Sequence, residues 1–131
     1  MEIIQSPKMP KSNGHYSQCI HHNGILYLSG QLPIDPITKS VPKTIEDQAD
    51  LALKNVELIL SEAGSSKHQV LQMRVYISNI AFWDKVNERY SAFFEDHKPV
   101  RSIIPTRELH FGCLIEIEAT AILSNKVGRL K

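Results

Sequence analysis

The chain has 131 residues, of which 42% are hydrophobic and 22% are charged. These values are close to the globular average, so they exclude a disordered or fibrous protein and predict a single domain over residues 1–131 with a real hydrophobic core. Fifteen Lys and Arg residues against fourteen Asp and Glu residues give a formal net charge of +1, without the basic bias of a protein that grips nucleic acid.

The N-terminal third predicts a β-hairpin followed by a long loop. Ser17–His21 forms one arm and Ile25–Ser29 the other, and the Asn-Gly pair in the turn His22–Gly24 is the strongest short hairpin signal. The two prolines of Leu32–Pro36 then interrupt regular structure, so we expect a loop as far as Lys43.

The middle of the chain predicts a helix and a strand. Thr44 is a suitable N-cap and Gly64 a suitable residue after the last turn, and apolar side chains recur between them at spacings of three and four. The run Val70–Ile77 alternates between apolar and polar residues, which predicts a half-buried strand. The predicted buried face of that strand consists of Leu71, Met73, Val75 and Ile77.

The C-terminal third predicts a second helix and two strands. Asn79 caps a helix whose apolar positions continue to Phe94, and the strands cover residues 101–106 and 114–123. The order β-β-α-β-α-β-β predicts a two-layer α+β domain with both helices on one face of a mixed sheet. We interpret the last basic residues as a solvated terminus; they are Lys126, Arg129 and Lys131.

The other face of this sheet is only partly polar. On the last strand it carries Glu116, Glu118, Thr120 and Ile122. Since this face is not uniformly polar, it favours a partner subunit over open solvent.

One arginine and two carboxylates suggest a site for a small organic acid. Arg101 opens an otherwise apolar strand, and arginine is the side chain best suited to hold a carboxylate through two parallel hydrogen bonds. Glu116 and Glu118 leave one strand face about 6.5–7 Å apart, and a carboxylate can orient a water or move a proton. Taken alone, these residues are more typical of a polar surface than of a binding site. A guanidinium buried at the head of this strand would need a carboxylate partner.

Other site chemistries find little support in the sequence. The six histidines form no HxH, HExxH or Cys/His spacing, and His21 and His22 would point to opposite faces of a strand, so we expect no metal. Cys19 and Cys113 have no identifiable base partner and form no CxxC unit. Free buried thiols are the favoured interpretation, although a disulfide between them stays open. The sequence also has no glycine-rich nucleotide-binding motif.

A membrane location is not indicated. No run approaches the roughly 20 apolar residues that cross a bilayer, so we expect no membrane partner. The first residues, Met1–Pro7, lack the charged start and apolar centre of a signal peptide. We therefore expect a cytoplasmic protein.

Four strings give the sequence a specific resemblance to a known family. They are Gly14-His15-Tyr16-Ser17-Gln18, Ser29-Gly30-Gln31-Leu32-Pro33, Arg101-Ser102 and Ile115-Glu116-Ile117-Glu118-Ala119. Their order and spacing resemble those of the Rid/YjgF family, and the likeness extends over nearly the whole chain. Members of that family are reactive-intermediate deaminases, which act on enamines and imines.

The resemblance implies a fold, an assembly and an activity. The fold would be chorismate-mutase-like, of the bacillus type, assembled as a homotrimer with clefts between subunits. The activity would be hydrolysis of 2-imino acids and their enamine tautomers, such as 2-aminoacrylate and 2-iminobutanoate, to 2-keto acids and ammonia. The enzyme would be a 2-iminobutanoate/2-iminopropanoate deaminase, and it would need no cofactor.

The resemblance also implies roles for individual residues. Arg101 would hold the substrate carboxylate, and Glu116 would orient the attacking water and carry a proton toward the leaving ammonia. Tyr16 would line the cleft, and Ser29-Gly30 would supply close backbone contacts. Glu118 matches a second family glutamate, to which we assign a structural or secondary polar role. Arg101 and Glu116 would meet in a pocket between protomers.

Two departures from the family pattern affect the cleft. Many active members have Gly-Pro-Tyr where this chain has Gly14-His15-Tyr16, and a small polar or thiol residue where it has Ile103, which is followed by Ile104-Pro105-Thr106. We therefore expect a more apolar cleft. It would favour larger hydrophobic imino acids, or it would belong to a non-catalytic regulatory module that binds a keto or amino acid. Ribonuclease activity is the least supported alternative, because the charge is nearly neutral.

Overall fold

A computed structural model describes residues 1–123, so the predicted basic terminus lies outside the described residues. In the described part of the chain, six strands form one sheet and two α-helices pack against it. The strands are β1 (Glu2–Ile4), β2 (Cys19–His22), β3 (Ile25–Gln31), β4 (Val70–Ile77), β5 (Val100–Pro105) and β6 (Ile115–Ile122). The helices are α1 (Ile45–Glu62) and α2 (Trp83–Phe94).

The sheet is mixed, and its strand order is β1-β2-β3-β6-β4-β5. Only β4 and β5 run parallel; the other neighbours in the described sheet are antiparallel. One side of the sheet is buried under α1 and α2, where the two layers share a continuous hydrophobic core. The predicted α+β class, with both helices on one face, is therefore confirmed. Neither described helix is long and apolar enough to span a bilayer.

The predicted hairpin forms where the Asn-Gly signal places it. Asn23 and Gly24 both have positive φ, of 52° and 81°, which suits a turn whose twist matches that of β2 and β3. Strand β1 is an addition that the sequence did not predict, since its three residues are too few to show a period. It pairs antiparallel with β2 at the outer edge, with Glu2 opposite His21.

Both predicted capping residues accept a backbone hydrogen bond, but only Thr44 caps an α-helix. The Thr44 hydroxyl accepts a hydrogen bond from the Asp47 N–H at 3.1 Å, and the Asn79 side chain accepts one from the Ala81 N–H at 2.8 Å. Asn79 caps a short 3-10 turn that precedes α2, rather than α2 itself. These caps satisfy backbone donors that a helix start leaves unpaired.

The predicted buried face of β4 is wrong at one position. Leu71 is 39% exposed, whereas Val70 is buried. The cause is a shift in the pairing of β4 with β6, because Val70 lies opposite Ala121 and Gln72 lies opposite Thr120. One extra residue in β4 forms a bulge, which turns Leu71 away from the core.

Candidate active site

A second bulge lies in β3, at Ser29 and Gly30. Leu28 pairs with Ala119 and Gln31 pairs with Ile117, so β3 uses three residues where β6 uses two. Such bulges redirect side chains and occur often beside active sites. Here the bulge brings the backbone of β3 against a side chain of β6.

Gly30 is required by the close approach of Glu116. A Cβ atom on Gly30 would lie 2.5 Å from Oε2 and 2.9 Å from Cδ of Glu116. No side chain fits in that space while Glu116 keeps its position. The family resemblance assigned Gly30 to backbone contacts with substrate; the structure shows, in addition, that it makes room for the carboxyl group.

The Glu116 carboxyl group receives no hydrogen bond from any of residues 1–123. The side-chain hydrogen bonds that Arg74 and Tyr76 donate in this region go to Glu118. Burial raises the pKa of Glu116, the neighbouring charge of Glu118 raises it further, and His110 lowers it. A carboxyl group of this kind is suited to both accepting and donating a proton.

Glu118 has a different environment from Glu116. It accepts hydrogen bonds from Arg74 Nε at 2.9 Å and from the Tyr76 hydroxyl at 2.7 Å. Arg74 and Tyr76 lie on β4, directly beside β6, so the two strands hold this carboxylate in place. Glu118 thus has the geometry of a structural polar network, the role that we assigned to it from the resemblance.

A cavity of about 470 Å³ surrounds Glu116. We call it the Glu116 pocket; its walls are Asn13, Gly14, Tyr16, Ser29, Gly30, Leu32, His110, Phe111 and Glu116. The volume is within the range of small-molecule sites. Three residues predicted from the resemblance, Tyr16, Ser29 and Gly30, therefore lie together with Glu116 in one chain.

The N-terminal segment is attached to the pocket by a short network. The Ser29 N–H and hydroxyl both donate to the Gln18 carbonyl, at 3.0 and 3.1 Å. The Gln18 side chain in turn accepts from the Ser6 N–H at 2.8 Å. Tyr16 is fixed locally, because its N–H donates to the Gly14 carbonyl at 3.0 Å. The network keeps the segment that carries Tyr16 beside the β3 bulge.

Phe111 and His110 form a wall that the sequence did not predict. Their rings stack with centroids 3.8 Å apart and planes at 10°. Phe111 has φ 59° and ψ 25°, a left-handed conformation that is uncommon for a bulky residue. Such backbone strain often occurs at ligand sites. We considered His110 only as a metal ligand, so the pairing was missed.

Arg101 lies in a second cavity, of about 460 Å³, between β5 and α2. Its Nη1 donates to the Asn87 side-chain oxygen at 2.7 Å. The guanidinium carbon also lies 4.9 Å from the ring centroid of Tyr90 and 5.4 Å from that of Trp83. Helix α2 therefore orients Arg101 through an amide and two aromatic faces.

The expected carboxylate partner of Arg101 is missing from the described part of the chain. Within residues 1–123, no carboxylate lies at ion-pair distance from it. Asn87 and the two ring faces contact the guanidinium instead, and the carboxylate partner of Arg101 stays a prediction. Most of the five N–H donors of the guanidinium remain for a ligand.

Arg101 and Glu116 do not meet within one chain. Arg101 is in register with Met73, which faces the core, whereas Glu116 is opposite Tyr76 on the other face. Strand β4 also lies between the two strands that carry them. Ile103 is on the Arg101 side, where it packs against the hydrophobic core and not against the Glu116 pocket.

Neither the cysteines nor the histidines add a further site. Cys19 and Cys113 are free, buried thiols. Burial raises the pKa of Cys19 to about 11 and also raises that of Cys113, so neither is an activated nucleophile. Among residues 1–123, no three His, Cys, Asp or Glu side chains are grouped so that they could hold a metal ion.

With this geometry established, comparisons with known proteins identify the family. The model of the family described as Endoribonuclease L-PSP matches residues 6–123. The chain belongs to this family, which is the YjgF/RidA family. The resemblance found in the four sequence strings is thereby confirmed.

Individual relatives cover nearly the full chain. TdcF of Escherichia coli strain K12, provisionally named a reactive intermediate deaminase, is 34% identical over 126 residues, which are 94% of this chain and 98% of TdcF. A RutC family protein of Pyrococcus abyssi is 38% identical over 121 residues, 92% of this chain and 95% of the relative.

Solved structures share the fold. E. coli TdcF with bound serine has a TM-score of 0.88 at 34% identity and covers 93% of this chain and 98% of its own. The Rid family protein YyfA of Yersinia pestis also has a TM-score of 0.88, at 37% identity, and covers 92% of this chain and 98% of its own.

Proposed function

We propose that this protein is a reactive-intermediate deaminase that hydrolyses 2-imino acids and their enamine tautomers, such as 2-iminobutanoate and 2-aminoacrylate, to 2-keto acids and ammonia in the cytoplasm. The observation that carries the proposal is the Glu116 carboxyl group, which has a raised pKa and no hydrogen bond from any described residue, in a cavity of about 470 Å³. The relative TdcF was solved with serine, a small amino acid, which supports a ligand of this class.

The chemistry needs little beyond positioning and proton transfer. The iminium carbon is already electrophilic, so a water can add to it when Glu116 accepts the proton that the water loses. Protonated Glu116 then returns that proton to the nitrogen of the carbinolamine. The carbon–nitrogen bond breaks, the hydroxyl oxygen forms the carbonyl, and the hydroxyl proton leaves with ammonia as ammonium. No metal or cofactor takes part in this sequence.

Arg101 binds the substrate carboxylate in this proposal, and it comes from a neighbouring subunit. Arg101 and Glu116 leave opposite faces of the sheet, so one copy cannot provide both to one substrate. The sheet face that carries Glu116 is suited to an interface, because Tyr27 is 50% exposed there. We propose a homotrimer whose three clefts each combine Glu116, Tyr16, Ser29 and Gly30 of one subunit with Arg101 and Ile103 of the next.

The activity is tested with imino acids formed in the assay by an amino-acid oxidase or a serine/threonine dehydratase. We expect the protein to accelerate keto-acid release and Arg101→Ala to abolish most of the acceleration, since the substrate loses its anchor. Release no faster with the protein than without it would contradict the deaminase proposal. Calorimetric binding of 2-ketobutyrate without turnover would instead indicate a binding module.

The shared site is tested by mixing two inactive variants. Arg101→Ala subunits keep Glu116, and Glu116→Gln subunits keep Arg101. After subunit exchange in an equal mixture, about one quarter of the clefts would combine both intact residues, so about a quarter of the wild-type activity should return. No recovery in mixed trimers, verified by mass spectrometry, would place both residues of a working site in one chain and contradict the assembly.

A further inference from the structure

The Glu116 pocket contains a second group that can accept a proton, the imidazole of His110. Among the described residues that form its wall, the ionisable side chains are Tyr16, His110 and Glu116. Tyrosine ordinarily keeps its proton near neutral pH, whereas a neutral imidazole has a free lone pair that accepts one. The proposed assembly adds Arg101 of a neighbouring subunit, and a guanidinium cannot accept a proton. In this part of the chain, imidazole is therefore the acceptor that complements the Glu116 carboxylate.

Both ring nitrogens of His110 are available to a ligand. Within residues 1–123, the histidine rings that form hydrogen bonds are those of His21 and His97. The His110 ring is instead stacked on Phe111, with centroids 3.8 Å apart and planes at 10°. Stacking occupies one face of the imidazole and leaves free the ring edge, which carries the nitrogens.

A short turn fixes the position of this imidazole. The Cys113 N–H donates to the His110 carbonyl at 3.2 Å across the turn, and Phe111 within it has φ 59°. A bulky residue keeps a left-handed conformation only where its surroundings hold it there. Just after the turn, the Leu114 N–H donates to the Gln48 side-chain oxygen at 2.7 Å, which ties the loop to α1. The imidazole is thus carried by a held turn.

His110 and Glu116 also interact through their charges. Burial and the charge of Glu118 raise the pKa of Glu116, and the charge of His110 opposes them. The hydrogen bond to Glu118 raises the pKa of Tyr76, and burial raises that of Cys113, so both of these neighbours are uncharged near neutral pH. A protonated His110 and an ionised Glu116 therefore attract each other across the pocket.

We propose that His110 is the base that takes the hydroxyl proton of the carbinolamine when ammonia leaves. The inference rests on the proposed deaminase activity. By this step Glu116 has returned its proton to the nitrogen and is a carboxylate again. The oxygen–hydrogen bond breaks, its electron pair completes the carbonyl, and the proton passes to a ring nitrogen of His110. The electron pair of the carbon–nitrogen bond leaves with ammonia.

The proton is then passed on and His110 returns to its starting state. The imidazolium gives the proton to ammonia, which is the stronger base and leaves as ammonium. While His110 is charged, the negative charge that Glu116 has regained stabilises it. The two proton transfers of the reaction are thus carried by two different groups of one chain.

The test separates proton acceptance from ring stacking. His110→Phe keeps a ring that can stack on Phe111 but has no nitrogen. Its kcat on the imino acid that an amino-acid oxidase forms from alanine should fall at least about tenfold. His110→Ala removes the ring, and added imidazole should restore part of the lost kcat. The recovery should be larger at about pH 8 than at about pH 6, because only neutral imidazole accepts a proton.

His68 provides the matched control. It is also exposed and also lies in a three-residue 3-10 turn, Lys67–Gln69, but outside the Glu116 pocket. His68→Phe and His68→Ala should keep the wild-type kcat. Added imidazole should not change the kcat of either protein once the rate without protein at the same imidazole concentration has been subtracted.

A titration tests the pairing of His110 with Glu116 without turnover. The carboxyl carbon of Glu116 is followed by NMR as the pH is changed. In His110→Phe its midpoint should be higher than in the wild-type protein, because the loss of a neighbouring positive charge disfavours the carboxylate. His68→Phe should keep the wild-type midpoint. Equal midpoints in all three proteins would contradict the pairing.

Failure of this step is distinguishable from failure of the deaminase activity. A wild-type protein that accelerates no imino-acid hydrolysis would overturn both. With an active wild-type protein, two results would overturn the role of His110 alone. One is a folded His110→Phe that keeps the wild-type kcat, and the other is a His110→Ala to which imidazole restores nothing.

Discussion

The two faces of the sheet carry two unlike parts of one candidate site. On the open face, Glu116 lies in a pocket where it receives no hydrogen bond from any described residue, and its pKa is raised. On the covered face, Arg101 is oriented by Asn87 of α2 at 2.7 Å and by two aromatic rings. Under the proposed function, each chain carries a proton-transfer group on one face and an anion-binding group on the other, and one copy does not bring the two together.

The largest expected effect is the loss of kcat caused by substituting Glu116. Glu116→Gln keeps the size of the side chain but removes the group that accepts and returns the proton, so kcat should fall by about 10²–10⁴-fold. Glu118→Gln is the matched control, because Glu118 is already engaged by Arg74 and Tyr76; its kcat should stay within about tenfold of wild type. Steady-state kinetics on the alanine-derived imino acid measure both. Equal losses in the two variants would contradict the difference in roles.

The second-largest expected effect comes from adding a side chain at Gly30, which would displace the Glu116 carboxyl group. In Gly30→Ala the new Cβ would lie 2.5 Å from Glu116 Oε2, so the carboxyl group must move, and kcat/KM should fall by about 10–100-fold. Gly14→Ala is the control in the same pocket, since its nearest contact is the Tyr16 ring edge at 3.3 Å. If Gly30→Ala is as active as Gly14→Ala, the close approach has no functional role.

A smaller effect is expected on the covered face. Asn87→Ala removes the hydrogen bond that orients Arg101. KM should rise by roughly tenfold with a smaller change in kcat, because one hydrogen bond to a charged group contributes about 1.5–3 kcal/mol. Glu88→Ala, an exposed neighbour on the same helix, should leave both constants near wild type. A fall in kcat without a rise in KM would show that Asn87 does not act through carboxylate binding.

The smallest effect concerns stability and pH. Because the pKa of Glu116 is raised above 4.5 in the folded protein, the folded state binds its proton more tightly than the unfolded state. Protonation therefore stabilises the fold below the unfolded pKa, and this contribution is lost as the pH rises through the folded pKa. Glu116→Gln is neutral at every pH, so its melting temperature minus that of the wild type should be larger at about pH 7 than at about pH 4.

Thermal melts of both proteins at the two pH values measure this difference. The same comparison is made in proteins that carry Glu118→Gln, because this substitution removes the like charge that raises the pKa of Glu116. In that background the pH-dependent difference caused by Glu116→Gln should shrink. A melting-temperature difference between Glu116→Gln and wild type that is larger at about pH 4 than at about pH 7 would contradict a raised pKa.

Local patterns predicted most of the elements. The Asn-Gly turn, the Thr44 cap and the alternation of β6 each depend on neighbouring residues, so they could be interpreted without the fold. The sequence did not predict β1 or the exposure of Leu71, since both depend on pairing between strands. Asn87 and the Phe111 wall were missed for the same reason, because they matter only through partners brought close by folding.

By itself, the sequence determined the α+β class and the family, and it predicted the residue types of a candidate site for a small carboxylic acid. Periodicity, caps and short motifs are local properties, so they can be recognised in the sequence without knowledge of the packing. Only the tertiary structure decided that Gly30 makes room for Glu116 and that Asn87 orients Arg101. It also decided that Glu116 and Arg101 lie on opposite faces of the sheet. The reason is physical: strand register and bulges fix which face each side chain takes, and both are set by pairing partners distant in sequence.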